Sequence, residues 1–239
     1  MDEIKLKLVQ NPPVAVLEGV SKSFDGVCAL DDVSLTIPEG RIIGITGPNG
    51  SGKTTMLKIM AGFYADYQGR VTIDGFEPGA ETKARVAYLP DKEGLPESME
   101  VSEMIKLYRT FFDDFDEEKC RELLGMFDIS EKSMPREMSK GVIDKLQLSL
   151  LMSRDARLYL LDEPIGGVDI EARDHVLDLI LENFNQKGTM LIERLFDSVI
   201  VLKKGKVAVF EDTDVLRARK GGSLEEVLKE IFRNGGVAE

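Results

Sequence analysis

The sequence is poor in the residues that build disulfide frameworks and metal sites. It has two cysteines, Cys28 and Cys120, which are far apart and show no C-x-x-C spacing. This usage is typical of reduced thiols in the cytosol and argues against a disulfide or zinc framework. The one histidine, His175, lies in a helical pattern beside Asp174 and Asp178. We expect it to be an exposed surface residue rather than a catalytic one.

Long apolar runs and an excess of positive charge are also absent. No stretch approaches the roughly 18 uninterrupted apolar residues of a transmembrane helix, and the N-terminus lacks the apolar core of a signal peptide. The formal net charge is −12, which argues against broad electrostatic binding to nucleic acid or to anionic lipid. We therefore expect a cytoplasmic protein without a nucleic-acid partner, and a peripheral subunit if it works at a membrane.

The sequence does contain a complete phosphate-binding motif. The apolar run 41–46 leads into Gly47-Pro48-Asn49-Gly50-Ser51-Gly52-Lys53-Thr54-Thr55, and a helical pattern follows. This order of strand, G-x-x-x-x-G-K-T loop and helix is the expected context of a P-loop, in which backbone N–H groups and the helix dipole surround an anion. Lys53 is placed to reach the β- and γ-phosphates, and Thr54 to bind Mg²⁺. We predict a nucleoside triphosphate site.

A second candidate site consists of Asp162 and Glu163, which directly follow the apolar run 157–161. Such a run is typical of a strand buried on both faces of a parallel sheet, and ligands bind beyond the carboxyl ends of these strands. Asp162 can then hold Mg²⁺ through water, and Glu163 can accept a proton from the attacking water. Paired acids at a strand end also occur as plain turn residues, but a P-loop in the same chain favours the metal-and-base interpretation.

The remaining pattern predicts an α/β fold of one domain, 1–239, with a helical subdomain inserted at about 92–155. Further helices are expected at 169–184 and in the tail, a solvated helix start in the acidic run 113–118, and a solvated hairpin turn at 203–206. The expected strands are 14–20, 33–37, 69–73, 86–89, 157–161, 189–192, 198–202 and 207–211.

With these motifs in order, the chain resembles the nucleotide-binding domains of the ATP-binding cassette (ABC) family over essentially its whole length. The resemblance implies a P-loop core of mostly parallel strands with an antiparallel N-terminal part, and ATP and Mg²⁺ as cofactors. The pattern alone makes Phe24, which lies beside the Asp25-Gly26 turn in the segment 21–26, a core residue. The resemblance makes it the aromatic that stacks on adenine. Asp91 stands where most members carry a glutamine that senses Mg²⁺ and the transmembrane partner. The implied catalytic residues are Lys53, Glu163 and Asp91, and the implied metal-site residues are Thr54, Asp162 and Asp91.

Residues 138–142, Met-Ser-Lys-Gly-Val, occupy the place of the family's L-S-G-G-Q signature. Ser139 and Gly141 keep a hydroxyl and an unhindered backbone at a helix N-terminus, which can contact the γ-phosphate of an ATP held by the other protomer. Lys140 and Val142 depart from the consensus. The alternative is a capped helix start without function.

The loop 165–169 looks like the family's D-loop, in which Asp169 meets the opposite subunit. The resemblance therefore implies two copies, in a homodimer or a heterodimer, that sandwich two ATP molecules and drive a separate transmembrane permease subunit. The Ser-Lys-Gly form looks most like bacterial exporter ATPases on the inner face of the cell membrane. A dimerising ATP switch or a soluble ABC protein is the alternative.

One connection is short for this family. The resemblance implies a switch histidine and a helix between the strands 189–192 and 198–202, which should run parallel. Only the five residues 193–197 connect them, whereas a parallel crossover needs about a dozen. We expect either a real deletion, which gives a slow enzyme, or about ten residues including a histidine that are absent from this sequence. A hairpin would make the strands antiparallel and contradict the resemblance.

Overall fold

The computed structural model describes residues 13–91, 94–162, 164, 183–184, 188–193 and 198–212. The chain divides into a first unit, Met1–Lys83 with Thr189–Glu239, and a second unit, Ala84–Gly188. An antiparallel N-terminal sheet, parallel strands and helices make up a mixed α/β structure, which confirms the predicted fold class. The single-domain assignment stays a prediction. The predicted helix in the tail and all of the predicted helix 169–184 except residues 183–184 lie outside the described residues.

The first unit contains a three-stranded antiparallel sheet. Its strands are β1 (Pro13–Phe24), β2 (Val27–Pro38) and β4 (Gln68–Ile73), in the order β2-β1-β4. The predicted strands 14–20 and 33–37 were too short, because Lys22 and Phe24 still pair across to Leu30 and Val27. Only Asp25-Gly26 forms the turn. The long strand carries Lys22 and Phe24 to its very end.

The same unit contains β3 (Ile42–Thr46), β7 (Thr189–Glu193), β8 (Ser198–Lys203) and β9 (Lys206–Asp212), in the order β7-β3-β8-β9. Ile43 and Ile45 are fully buried, as expected for a central strand. The helix α1 (Lys53–Met60) follows the loop after β3, and α2 (Ala80–Lys83) is a single turn.

The directions of β7 and β8 test the hairpin alternative for the short connection 193–197. Both β7 and β8 run parallel to β3, one on each side of it, so the hairpin alternative is wrong. Residues 194–197 lie outside the described residues. The choice between a real deletion and absent residues therefore stays a prediction.

The second unit pairs β5 (Val86–Leu89) in parallel with the fully buried β6 (Leu158–Leu161). Its helices are α3 (Val101–Phe111), α4 (Glu117–Met126), a 3-10 turn (Pro135–Glu137) and α5 (Lys140–Met152). Helix formation over 101–153 was correctly predicted. None of the helices in the described ranges is long and apolar enough to cross a membrane.

The helices of the second unit close over an apolar core that includes Met104, Cys120, Leu124 and Leu146. Both cysteines of the chain are free, as predicted. Burial raises the pKa of the Cys120 thiol to about 11. This thiol is therefore protonated and unreactive at neutral pH.

The acidic run 113–118 is only partly a solvated helix start. Asp116 caps α4, since its Oδ1 accepts a hydrogen bond from Lys119 N–H over 3.0 Å. Asp114 departs from the prediction, because it lies before the helix and forms an ion pair with Arg154, which is 4% exposed. A buried guanidinium needs such a partner.

Candidate nucleotide site

The phosphate loop, residues 47–55, joins β3 to α1 in the first unit. Gly52 takes the N-cap position of α1 with φ 101°, no side chain caps this end, and the first turn has no acidic residue. Ser51 N–H donates to Pro48 O over 3.0 Å, which closes a turn within the loop. A helix N-terminus of this kind presents partial positive charge and favours an anion.

Lys53 is folded back over its own loop. Its Nζ donates a hydrogen bond to Gly47 O over 2.7 Å and lies 3.5 Å from Pro48 O, and the residue is 7% exposed. The ammonium group and the loop backbone thus form one compact, positively charged turn.

The hydroxyl of Ser51 gives a direct test of whether a polar ligand fits. Within the described part of the chain, Ser51 Oγ is the one buried side-chain polar atom without a hydrogen-bond partner. An unpaired buried hydroxyl costs about 1–3 kcal/mol, and a ligand that reached it would remove this penalty. Together with the charge of Lys53, this hydroxyl makes the loop fit the phosphate groups of a nucleotide.

The backbone of the phosphate loop packs directly on β2. A Cβ built on Gly52 would lie 2.5 Å from Ala29 O and 2.7 Å from Leu30 Cδ2. Such distances exclude any side chain at this position. The loop therefore has a rigid support on the side of β2.

The other predicted loop residues lie at the surface of the same turn. Asn49, Gly50 and Thr54 are exposed, and Thr55 is half-buried in the first turn of α1. The structure thus brings together every P-loop residue that the sequence predicted.

Phe24 lies at the end of β1 with its ring in a small aromatic cluster. It is 36% exposed, so it is not a core residue. The Tyr64 ring meets it edge-on at 5.3 Å between centroids, and Lys22 Nζ lies 4.6 Å from the Phe24 centroid. Sequence reasoning missed Lys22 and Tyr64. The period of two along a strand was a signal for Lys22, because residues 22 and 24 share one face of β1.

Lys22 is held in place by Asp66. Its side chain is 5% exposed, and its Nζ donates to Asp66 Oδ2 over 2.5 Å and to Asp66 O over 2.8 Å. This hydrogen bond holds the pKa of Asp66 below its usual range. Because Asp66 fixes the position of the buried ammonium group, this group can hold the Phe24 ring in place through a cation–π interaction.

In the second unit, Asp162 lies where the sequence placed it, at the carboxyl end of β6. It is 1% exposed, and its N–H donates to Leu89 O over 2.9 Å. Tyr88 Oη donates to Asp162 Oδ2 over 3.4 Å, a contact that sequence reasoning missed. Glu163 and Asp169 lie outside the described residues.

Metal ligands do not converge on their own in the described ranges. No group of three His, Cys, Asp or Glu side chains there could hold a metal ion. Mg²⁺ commonly binds through one or two protein ligands together with water and substrate phosphates. Of the predicted metal-site residues, Thr54 belongs to the first unit and Asp162 and Asp91 to the second.

Two departures from the family pattern, Asp91 and Lys140, act on the same carboxylate. Burial raises the pKa of Asp144 on α5, the charge of Lys140 lowers it, and the charge of Asp91 raises it further. The loop after β5 and the start of α5 are therefore linked electrostatically. A cation at position 140 offsets the charge that Asp91 adds.

Ser139 is the N-cap of α5, and its Oγ accepts a hydrogen bond from Val142 N–H over 3.4 Å. Ser139 and Lys140 are exposed, and no atom of the described residues lies within 4 Å of a Cβ built on Gly141. Val142 packs against the core of the helices, which explains an apolar residue there. The signature is a capped helix start with an open surface, so it leaves room for a ligand or a partner.

Comparison with known proteins decides the family. The model of the ABC transporter family matches residues 30–166, which is more than half of the chain. This chain belongs to the ABC transporter family. As an ABC transporter ATP-binding subunit, it has the ATP-hydrolysing P-loop domain of that family, and the resemblance seen in the sequence is confirmed.

Individual relatives agree with this family. The chain is 33% identical over 214 residues to the ABC transporter ATP-binding protein YtrB of Bacillus subtilis (strain 168), covering 84% of this chain and 73% of YtrB. It is 27% identical over 245 residues to the aliphatic sulfonates import ATP-binding protein SsuB of Bacillus cereus (strain ATCC 10987 / NRS 248), covering 93% and 97%.

Solved structures support the fold. An ATP-binding subunit of an ABC transporter superposes with a TM-score of 0.82 at 24% identity, covering 92% of this chain and 99% of that one. A bacterial Atm1-family ABC exporter with ATP bound gives a TM-score of 0.74 at 20% identity, covering 97% and 44%. At these identities the likeness concerns the fold alone.

Proposed function

We propose that this ABC ATPase subunit acts as half of an ATP-driven dimer that powers a separate transmembrane permease subunit, in export. The observation that carries the proposal is the phosphate loop, where Lys53 Nζ donates to the carbonyl of Gly47. Among the described residues, no side chain caps the start of α1, and buried Ser51 Oγ has no hydrogen-bond partner. All three features favour a bound polyanion.

In the proposed reaction, the phosphate loop and Lys53 bind the phosphates of ATP, and Phe24 stacks on the adenine. Water attacks the γ-phosphorus, its proton passes to Glu163, and the bond from the γ-phosphorus to the bridging oxygen of ADP breaks. Thr54, Asp162 and Asp91 are the residues that would hold Mg²⁺, which neutralises charge on the phosphates when bound. Tyr88 orients Asp162 through its hydroxyl.

Dimerisation completes the site in this proposal. Ser139 and Gly141 are accessible at the start of α5, as needed for contact with the γ-phosphate of an ATP held by a second copy or a second ABC subunit. Asp169 would meet the opposite subunit. Closing and reopening this dimer would move the permease, with the ATPase peripheral on the inner face of the membrane.

Export is the finer part of the proposal and rests on the Ser-Lys-Gly signature and on Asp91. The SsuB relatives are named for import, so direction needs its own test. In proteoliposomes whose ATPase subunits face outward, external ATP should drive labelled substrate of an exporter into the lumen and that of an importer out of it. A panel of drugs, peptides and lipids, with the permease from the neighbouring gene, covers the substrate classes we propose.

Dimerisation is tested by light scattering of the Glu163→Gln variant. The amide keeps the shape of the side chain but cannot act as a base, so ATP should stay bound and the mass should double with ATP but not with ADP. A monomer at saturating ATP would contradict the proposed dimer. Trapped dimers with slow phosphate release by the unaltered chain would instead favour an ATP switch, which a real deletion at 193–197 would also favour.

A further inference from the structure

The turn that joins β8 to β9 contacts the phosphate loop through backbone atoms. Gly205 N–H donates to Ser51 O over 3.1 Å, and Gly205 O accepts from Asp31 N–H over 2.9 Å. One residue thus connects the phosphate loop, β2 and the β8–β9 turn. The sequence predicts a solvated turn here, which holds for Lys204 and Lys206 but not for the buried Gly205.

There is no room for a side chain at position 205. Gly205 has φ 78°, and a Cβ there would lie 2.8 Å from Ala29 O. The same carbonyl oxygen would lie 2.5 Å from a Cβ on Gly52. The phosphate loop and the β8–β9 turn therefore both pack against the Ala29 carbonyl of β2. A displacement of the turn should displace the phosphate loop.

We infer that Gly205 is a positioning residue of the phosphate loop. A peptide unit is planar and trans, so its C=O and N–H point in opposite directions. Because Gly205 N–H fixes the Ser51 carbonyl, it also directs the Gly52 N–H away from the turn. The orientation of this peptide at the start of α1, and with it nucleotide affinity, depends on a turn about 150 residues away in sequence.

The chain offers a matched control for this residue. Asp74-Gly75 has the same left-handed pair of φ angles, 51° and 84°, as Lys204-Gly205, with 50° and 78°. In the described ranges, no atom lies within 4 Å of a Cβ built on Gly75. The Gly75→Ala variant therefore has the backbone strain of a left-handed alanine without the contact at Ala29.

Calorimetric titration with ADP separates positioning from stability. In Gly205→Ala we expect about tenfold weaker binding or more, with the stoichiometry of the unaltered chain. In Gly75→Ala we expect a change within about twofold. Irreversible unfolding would lower the stoichiometry, and reversible unfolding could weaken binding tenfold only if about nine-tenths of the chain were unfolded without ADP, which circular dichroism would show. The two causes therefore give different results. Equal affinities of all three proteins, or an equal loss in both variants, would overturn the inference.

A second measurement needs no substitution, so it decides the question even where Gly205→Ala does not fold. If the loop and the turn are coupled, ADP on the loop must stabilise the turn. Saturating ADP should slow hydrogen exchange of the Gly205 amide about tenfold or more. The Phe76 amide, which donates to Ile73 O in the control turn, should exchange at an unchanged rate. An unchanged Gly205 rate overturns the inference. Neither measurement depends on a permease or on export.

Discussion

Lys22 Nζ lies 4.6 Å from the centroid of the Phe24 ring, on a side chain whose own exposure is 5%. The cation therefore packs over the ring, and the Tyr64 ring lies beside it at an interplanar angle of 65°. The part of Phe24 that stays exposed can take a planar ligand. This arrangement suits an aromatic side chain that stacks on a base.

The Phe24→Ala variant should weaken ATP and ADP similarly. Base stacking contributes about 1–3 kcal/mol, so we expect roughly 5- to 100-fold weaker binding of both nucleotides. Calorimetry of both nucleotides checks this, with Phe24→Tyr as the control that keeps a ring. If ATP lost affinity and ADP did not, the substitution would be acting on the phosphate region, and the stacking role would be wrong.

Arg154 should contribute strongly to the stability of the second unit. Its guanidinium donates to both carboxylate oxygens of Asp114, at 2.9 and 3.0 Å, and to Val86 O at 2.9 Å and Ala84 O at 2.6 Å. Removing one partner of a buried pair typically costs about 3–5 kcal/mol. We expect Arg154→Met to lower the free energy of unfolding by about this amount in urea denaturation.

Arg109 is the matched control, because it also pairs with a carboxylate, that of Glu117, but is largely exposed. Exposed pairs contribute about 0–1 kcal/mol, so Arg109→Met should change stability little. Adding Asp114→Asn to Arg154→Met should cost less than the two changes summed, since the unpaired carboxylate is removed. Strict additivity would show that Arg154 and Asp114 do not act as a pair.

Asp144 gives a prediction for pH dependence. Burial raises its pKa in the folded chain, so its charged form is disfavoured there. The stability this group contributes is present below its unfolded pKa, about 4, and is lost as pH rises through the folded value. Asp144→Asn should therefore gain stability relative to the unaltered chain as pH rises from about 4 to 7.

Thermal unfolding at several pH values checks this, with Asp113→Asn as the control at an exposed carboxylate of the same unit. The control should show no such divergence from the unaltered chain. If the Asp144→Asn and unaltered chains kept a constant difference in stability across this range, the half-buried Asp144 carboxylate would not be a cause of the pH dependence.

The site residues that the sequence predicted are those whose positions follow from the short sequence pattern around them. Lys53 and Gly52 belong to one loop between a strand and a helix, and Asp162 ends an apolar strand. Short-range pattern suffices for such residues. Phe24 needed the family resemblance, because a single aromatic beside a turn has no periodic signal of its own.

The parts that the sequence could not predict depend on contacts between distant segments. Lys22 is a charged residue that becomes buried because Asp66 and two rings surround it. Gly205 looked like a plain turn residue, yet it bonds to the phosphate loop. Lys140 and Asp91 each looked like an isolated departure from the family, and only the fold places both near Asp144.

We propose that Lys53 binds the phosphates of ATP in this chain and that Glu163 acts as the base in its hydrolysis. The most direct test is steady-state phosphate release with Mg·ATP by the unaltered chain, Lys53→Ala and Glu163→Gln. We predict release by the unaltered chain, loss of both nucleotide affinity and release in Lys53→Ala, and retained affinity with little release in Glu163→Gln. Undiminished release by either variant would contradict the account.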